Sequence, residues 1–92
     1  MIRSFRHRGL KLLHERGDQS RVHAAHRIKI ARIFGYLNSA RMPRDMDFPG
    51  LRLHPLTGNL GGFWSVSVSG NWRIIFRFEG SHVADVDLVD YH

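Results

Sequence analysis

Trp64-Ser65-Val66-Ser67-Val68-Ser69 alternates apolar and polar residues without exception, and Trp72 to Phe78 resumes the alternation after a glycine. Period two sets one face of a strand against a core and leaves the other polar. Between the runs, Ser69-Gly70-Asn71 has the composition of a three-residue hairpin loop; its register pairs Val68 with Trp72, Val66 with Ile74 and Trp64 with Phe76. A second loop, Glu79-Gly80-Ser81, then pairs Phe76 with Ala84, Ile74 with Val86 and Trp72 with Leu88. Three antiparallel strands with one shared apolar side cannot stand alone in water and need a second layer.

The first half of the chain supplies that layer. Ile2 to Phe5 reads as a short first strand, and Arg6 to Arg16 as a helix carrying Leu10, Leu12 and Leu13 that stops at Gly17, a C-cap. Asp18 or Ser20 can cap a second helix, in which Ala24, Ile28, Ala31 and the series Ile30, Phe34, Leu37 recur at helical spacing as far as Ala40, before Pro43. Arg41 to Gly50 keeps neither period and connects helices to sheet. Leu51 and Leu53 begin a strand broken at Pro55, and Thr57 to Gly62 is a glycine-rich loop. The expected architecture is α+β: two N-terminal helices packed on one face of a small, mainly antiparallel sheet, with residues 1–92 forming one domain.

Charge narrows the partners. Fourteen Lys and Arg against eight Asp and Glu leave a net charge of +6 before any of seven histidines protonates. A field of that sign draws polyanions, nucleic acid above all, although it also serves plain solubility. The absence of cysteine fits a reducing compartment and excludes disulfides and thiolate metal sites. The opening residues lack an apolar signal region, and no stretch approaches the roughly 20 apolar residues of a membrane span, so a soluble cytoplasmic protein without a membrane partner is expected.

Several residues carry chemistry. With Trp72, Ile74, Phe76 and Phe78 facing the core, Arg73, Ile75 and Arg77 point to the open face, where the register sets Arg73 across from Asp87. That arginine reads either as half of a cross-strand ion pair or as a grip on phosphate. His54, out of phase with Leu51 and Leu53, faces the same side. The final residues, Asp90, Tyr91 and His92, add a carboxylate, a phenol and an imidazole at the end of the last strand. Clustered titratable groups of this kind are what proton transfer near neutral pH requires. Strict alternation sends Asp90 to the core side with Leu88, so the chain must twist or leave the strand near Val89 for Asp90 and His92 to act together. The pairs His23/His26 and His7/His14 lack a third ligand, and neither a metal nor another cofactor is expected. Trp64, Trp72, Phe76 and Phe78 read as packing rather than as a stacking platform.

Leu53-His54-Pro55-Leu56, Gly62-Phe63-Trp64-Ser65, Asn71-Trp72-Arg73-Ile74 and Val89-Asp90-Tyr91-His92, together with the opening Met1 to His7 and Gly9-Leu10, resemble the HigB toxins of the RelE superfamily over the whole length. The resemblance implies a RelE-like fold and a toxin of a bacterial toxin–antitoxin pair that cuts translated messenger RNA in the ribosomal A site. It implies a metal-free cut in which the ribose 2′-hydroxyl attacks the adjacent phosphate. Antitoxin of helix-turn-helix type, bound in a hetero-oligomer, would neutralise it. By position, His54, Asp90, Tyr91 and His92 resemble the family's proton-transfer and substrate-orienting residues, and Arg73 its phosphate-stabilising arginine. Many HigB chains carry lysine where Thr57 stands here; either Arg52 or Arg77 makes up the lost charge, or activity is weaker. Two other readings remain open: a non-catalytic basic module that binds nucleic acid, and a metal-dependent nuclease that a chelator would stop.

Overall fold

The computed structural model describes residues 1–90; Tyr91 and His92 lie outside the described residues. Helix α1 spans Arg8–Arg16. It starts where His7 Nδ1 accepts the amide of Leu10 at 3.1 Å and ends at Gly17, whose φ of 68° lets the amides of Gly17 and Asp18 reach the carbonyls of Leu13 and Leu12. The helix does not begin at Arg6 because the chain still runs along β4 there, the Arg6 amide donating to Val86 O at 2.8 Å, and His7 keeps an extended backbone. Asp18 does not cap the second helix either. Its carboxylate takes the amide and hydroxyl of Ser20 in a local turn, and His23 instead caps a 3₁₀ turn, Ala24–His26, that leads into helix α2, Arg27–Ser39.

Ile30, Ile33, Phe34 and Leu37 of α2 are buried at i, i+3, i+4 and i+7, one apolar stripe. The other expected series, Ala24, Ile28 and Ala31, is not part of the core: Ile28 is 80% exposed, and Ala24 and Ala31 also face outward. Ile28 lies about 200° around the helix from Ile30, and a single supporting layer can cover only one side.

Strands β1 (His54–Pro55), β2 (Phe63–Ser69), β3 (Trp72–Glu79) and β4 (His82–Asp90) form one antiparallel sheet in the order β1-β2-β3-β4. The helices cover one face, as the alternation predicts, and Val66, Val68, Ile74, Phe76, Val83 and Val86 meet Leu10 and the α2 stripe in the main core. Of the strand expected from Leu51, only His54 and Pro55 pair as a ladder, although Leu51 O still accepts the amide of Ser67 at 2.7 Å. Ile2 to Phe5 is not a full strand: Ile2 and Phe5 make isolated parallel bridges to Val83 and Val86, and this segment lines the outer edge of β4.

Both hairpin turns are two residues long, with a positive-φ glycine first, Gly70 and Gly80. A shift between Ser67 and Ser69 restores the expected pairs Val66–Ile74 and Trp64–Phe76, but Ser69, not Val68, faces Trp72. The second hairpin departs further. Phe78 faces Val83 and Arg77 faces Ala84; after an irregularity, Ile75 faces Asp87, Ile74 faces Leu88, Arg73 faces Val89 and Trp72 faces Asp90. The expected Arg73–Asp87 pair is therefore absent, and so are Phe76–Ala84, Ile74–Val86 and Trp72–Leu88. The causes are the two-residue turn, which moves the register by one, and a bulge at Asp85, which moves it by one more; Asp85 is held at φ 54°, a left-handed conformation that Asp tolerates better than most residues.

Three contacts hold that bulge. Ser4 Oγ accepts the Asp85 amide at 2.9 Å, and the Asp85 carboxylate takes Arg77 Nε at 2.6 Å while Glu79 binds the same guanidinium. The hydrogen bond from Arg77 holds the Asp85 carboxyl below its usual range, with partial desolvation opposing. A carboxyl depressed in the folded state contributes stability above its unfolded pKa, about 3.9, and that contribution disappears as pH falls through the folded value. Asp85→Asn keeps the tolerance for positive φ but loses the charge. Urea unfolding at pH 6 and pH 3 should show a smaller acid loss of stability in this variant than in the wild type; equal losses would mean that the pair contributes nothing.

Candidate active site

The open face of the sheet is not bare. Phe63, Ile75 and Leu56 are buried there, with Leu60 and Val89 packed against them, as a small apolar floor separate from the main core. Its signal in the sequence is apolar residues at out-of-phase positions in strands that alternate, Phe63, Ile75 and Val89. Arg6 places its guanidinium carbon 4.9 Å from the centre of the Phe63 ring, a cation over an aromatic face.

Beside this floor lie two of the expected site residues. His54 pairs with Ser65 across β1 and β2, and Arg73 Nη1 donates to Ser65 Oγ at 3.3 Å. Ser65 has no exposed surface. A fully covered hydroxyl thus takes the guanidinium of Arg73, His54 stands at the cross-strand position of the same serine, and strand alternation is what puts all three on one face. His54 is exposed and Arg73 half-buried, so both can meet a ligand.

The other expected residues divide. Arg77 shares the face, but its side chain is engaged by Asp85 and Glu79, so its charge is largely balanced. Arg52 is exposed just before β1 with φ 53°. Asp90 is the last residue of β4; the strand continues through Val89 without leaving the sheet, and by register Asp90 lies on the side of Trp72 rather than that of Arg73. Tyr91 and His92 fall outside the described residues. Thr57 is exposed at the start of a 3₁₀ turn, Gly58–Leu60.

Sequence reasoning missed what stands behind Asp90. Trp72 is 39% exposed rather than core; the His26 ring lies 5.9 Å from it, and His23 lies 5.3 Å from His26. The 3₁₀ turn therefore props the end of the sheet from the helix side. The other histidine pair is used locally: His7 caps α1, while His14 packs with Phe5 and Phe34 and contacts Asn38. Among the described residues no three His, Asp or Glu side chains gather as a metal site.

Residues 3–92 match the family described as the RelE-like toxin of the type II toxin–antitoxin system HigB. This chain belongs to the HigB-like toxin family. The α+β arrangement of two helices on a four-stranded antiparallel sheet agrees with a RelE-like toxin, and the type II system implies an antitoxin partner. The chain is 38% identical over 92 residues, the full length of both, to a protein of Proteus vulgaris named Endoribonuclease HigB. No helix among the described residues of this HigB-like toxin is long and apolar enough to cross a membrane.

Ser65→Ala removes the acceptor for Arg73 without opening a large cavity. It should cost about 1 kcal/mol, the usual worth of one hydrogen bond, in urea unfolding; a loss above about 3 kcal/mol would mean that Ser65 holds more of the sheet than its contact with Arg73.

Proposed function

We propose that this toxin is an endoribonuclease that cuts translated messenger RNA in the ribosomal A site, acting in the cytoplasm and silenced by an antitoxin of helix-turn-helix type. What supports the reading most is the common position of Ser65: a proton carrier, His54, pairs with it across the sheet and a guanidinium, Arg73, donates to it, so both lie on one sheet face in a HigB-like chain. The relative named as an endoribonuclease agrees with it.

Cleavage of a phosphodiester by its own ribose asks little of the protein beyond placement and charge. A base removes the 2′-hydroxyl proton, the oxygen attacks phosphorus, and the 5′-oxygen leaves with a proton from an acid, producing a cyclic phosphate and a 5′-hydroxyl. An internal hydroxyl as nucleophile needs no metal to generate it. His54 and His92 are the proton carriers in this scheme, Asp90 orients an imidazole, and Tyr91 orients the substrate. Arg73 neutralises the charge that builds on the five-coordinate phosphate, where a planar fork can meet two oxygens at once. With Arg77 balanced by carboxylates, Arg52 and Arg73 carry more of the RNA contact, and Thr57 adds no charge in place of the family lysine.

Induced expression followed by mapping of transcript 5′ ends tests this directly. The wild type should arrest growth and leave cuts within translated messages, while His92→Ala and Arg73→Ala should each lower cutting at least about 100-fold. Intact messages with unimpaired growth in the wild type would overturn the proposal. Growth arrest and RNA affinity unchanged by His92→Ala would favour a non-catalytic binding module.

A further inference from the structure

A cavity of about 250 Å³ lies between α2 and the segment leading to β1, away from the sheet face that carries His54 and Arg73. Lys29, Arg32 and Tyr36 line it from one side of α2, and Phe48, Gly50 and Leu51 close it opposite. The three helix residues are spaced i, i+3 and i+7, so they share one stripe. No carboxylate lines the cavity. We propose that it is a second RNA contact, taking one unpaired nucleotide of the strand whose scissile linkage lies at His54 and Arg73. The inference rests on the endoribonuclease reading and extends it to how substrate is held.

Three observations converge on that ligand. Tyr36 and Phe48 are stacked with ring centres 4.0 Å apart and planes inclined by 16°, and Phe48 is 37% exposed, so a base laid on it continues a pile already begun. Lys29 and Arg32 flank the rings as the phosphates of a strand would require, the pairing of aromatic platform and cations that binds single-stranded nucleic acid. The volume lies below the roughly 300 Å³ at which pockets for larger ligands begin, which suits a single base.

Position connects the cavity to the site. Leu51 lines it, and three residues later the chain reaches His54, at most about 10 Å away even if fully extended. That distance corresponds to about three stacked nucleotides. Between them Arg52 stands exposed with a left-handed backbone, and β1 forms the sheet's edge. An acidic peptide could use the two cations but has no need of the stacked rings.

Binding of uncleavable RNA tests the proposal. A 2′-O-methyl trinucleotide and a 2′-O-methyl decamer, whose blocked hydroxyls prevent attack, are titrated by fluorescence anisotropy at several salt concentrations. Wild type should prefer the decamer, and the margin should shrink about tenfold in Lys29→Ala/Arg32→Ala. The decamer's log–log salt slope should flatten by about 1.4, two phosphate contacts at about 0.7 each. Phe48→Ala should weaken the decamer by about fivefold or more with the slope unchanged. A double variant that keeps wild-type decamer affinity and slope overturns the cavity's role, as does one that loses only affinity for the antitoxin. A wild type that binds neither oligonucleotide and cuts no message overturns the nuclease reading itself; a wild type that cuts while the double variant binds normally removes the cavity alone.

Discussion

The bulge at Asp85 sets the geometry of this molecule's working end. One extra residue in β4, held in a left-handed conformation by Ser4, Arg77 and the chain's own hydrogen bonding, slides everything beyond it along β3. Because of that slide the strand stays paired as far as Trp72 and delivers Asp90 to the end of the sheet, next to the residue that precedes Arg73. Arg77 serves the bulge, its guanidinium held by Asp85 and Glu79, whereas Arg73, four residues earlier on the same face, donates to Ser65.

The two edges of the sheet are treated differently. Residues 1–7 run along β4, with the amides of Arg3 and Arg6 donating to Val83 and Val86 and the amides of Val83 and Val86 donating back to Met1 and Ser4. This covers the edge that would otherwise invite another strand. At the opposite edge β1 is two residues long and ends on Pro55, too short and too broken to template a partner strand yet open enough to present His54. Closing one edge and shortening the other leaves a single side where charge, imidazole and solvent meet.

Much of this was legible. Alternation in β2 and β3 identified the covered face and put Arg73 and His54 on the other, since a period of two leaves no choice once one side is apolar. Gly17 ends α1 as expected, because few other residues accept its φ. The second hairpin's register was not legible: a two-residue turn plus a bulge gives the same alternation of apolar residues past the bulge as a three-residue turn without one, displaced by a pair. Nor was the burial of α2, where two apolar series fit the helical period and only contact with the sheet selects between Ile30 and Ile28. The partly covered open face was written in Phe63, Ile75 and Val89, but strands apolar on both sides read equally as internal noise until Leu56 and Leu60 are seen to close over them.

Local rules, then, determined the two helices, the two hairpins and the polarity of the sheet's faces, and singled out the candidate side chains, because periodicity and turn chemistry act over a few neighbouring residues. The neighbours of those side chains were decided by tertiary structure alone. Ser65 accepts from Arg73 across one hairpin, Asp85 occupies Arg77 across the other, and His26 supports Trp72 opposite Asp90, each through contacts between residues that are not neighbours in the chain. Such contacts depend on the sum of every turn length and bulge between the partners, and a change of one residue in that sum is invisible in the pattern yet moves every pair beyond it.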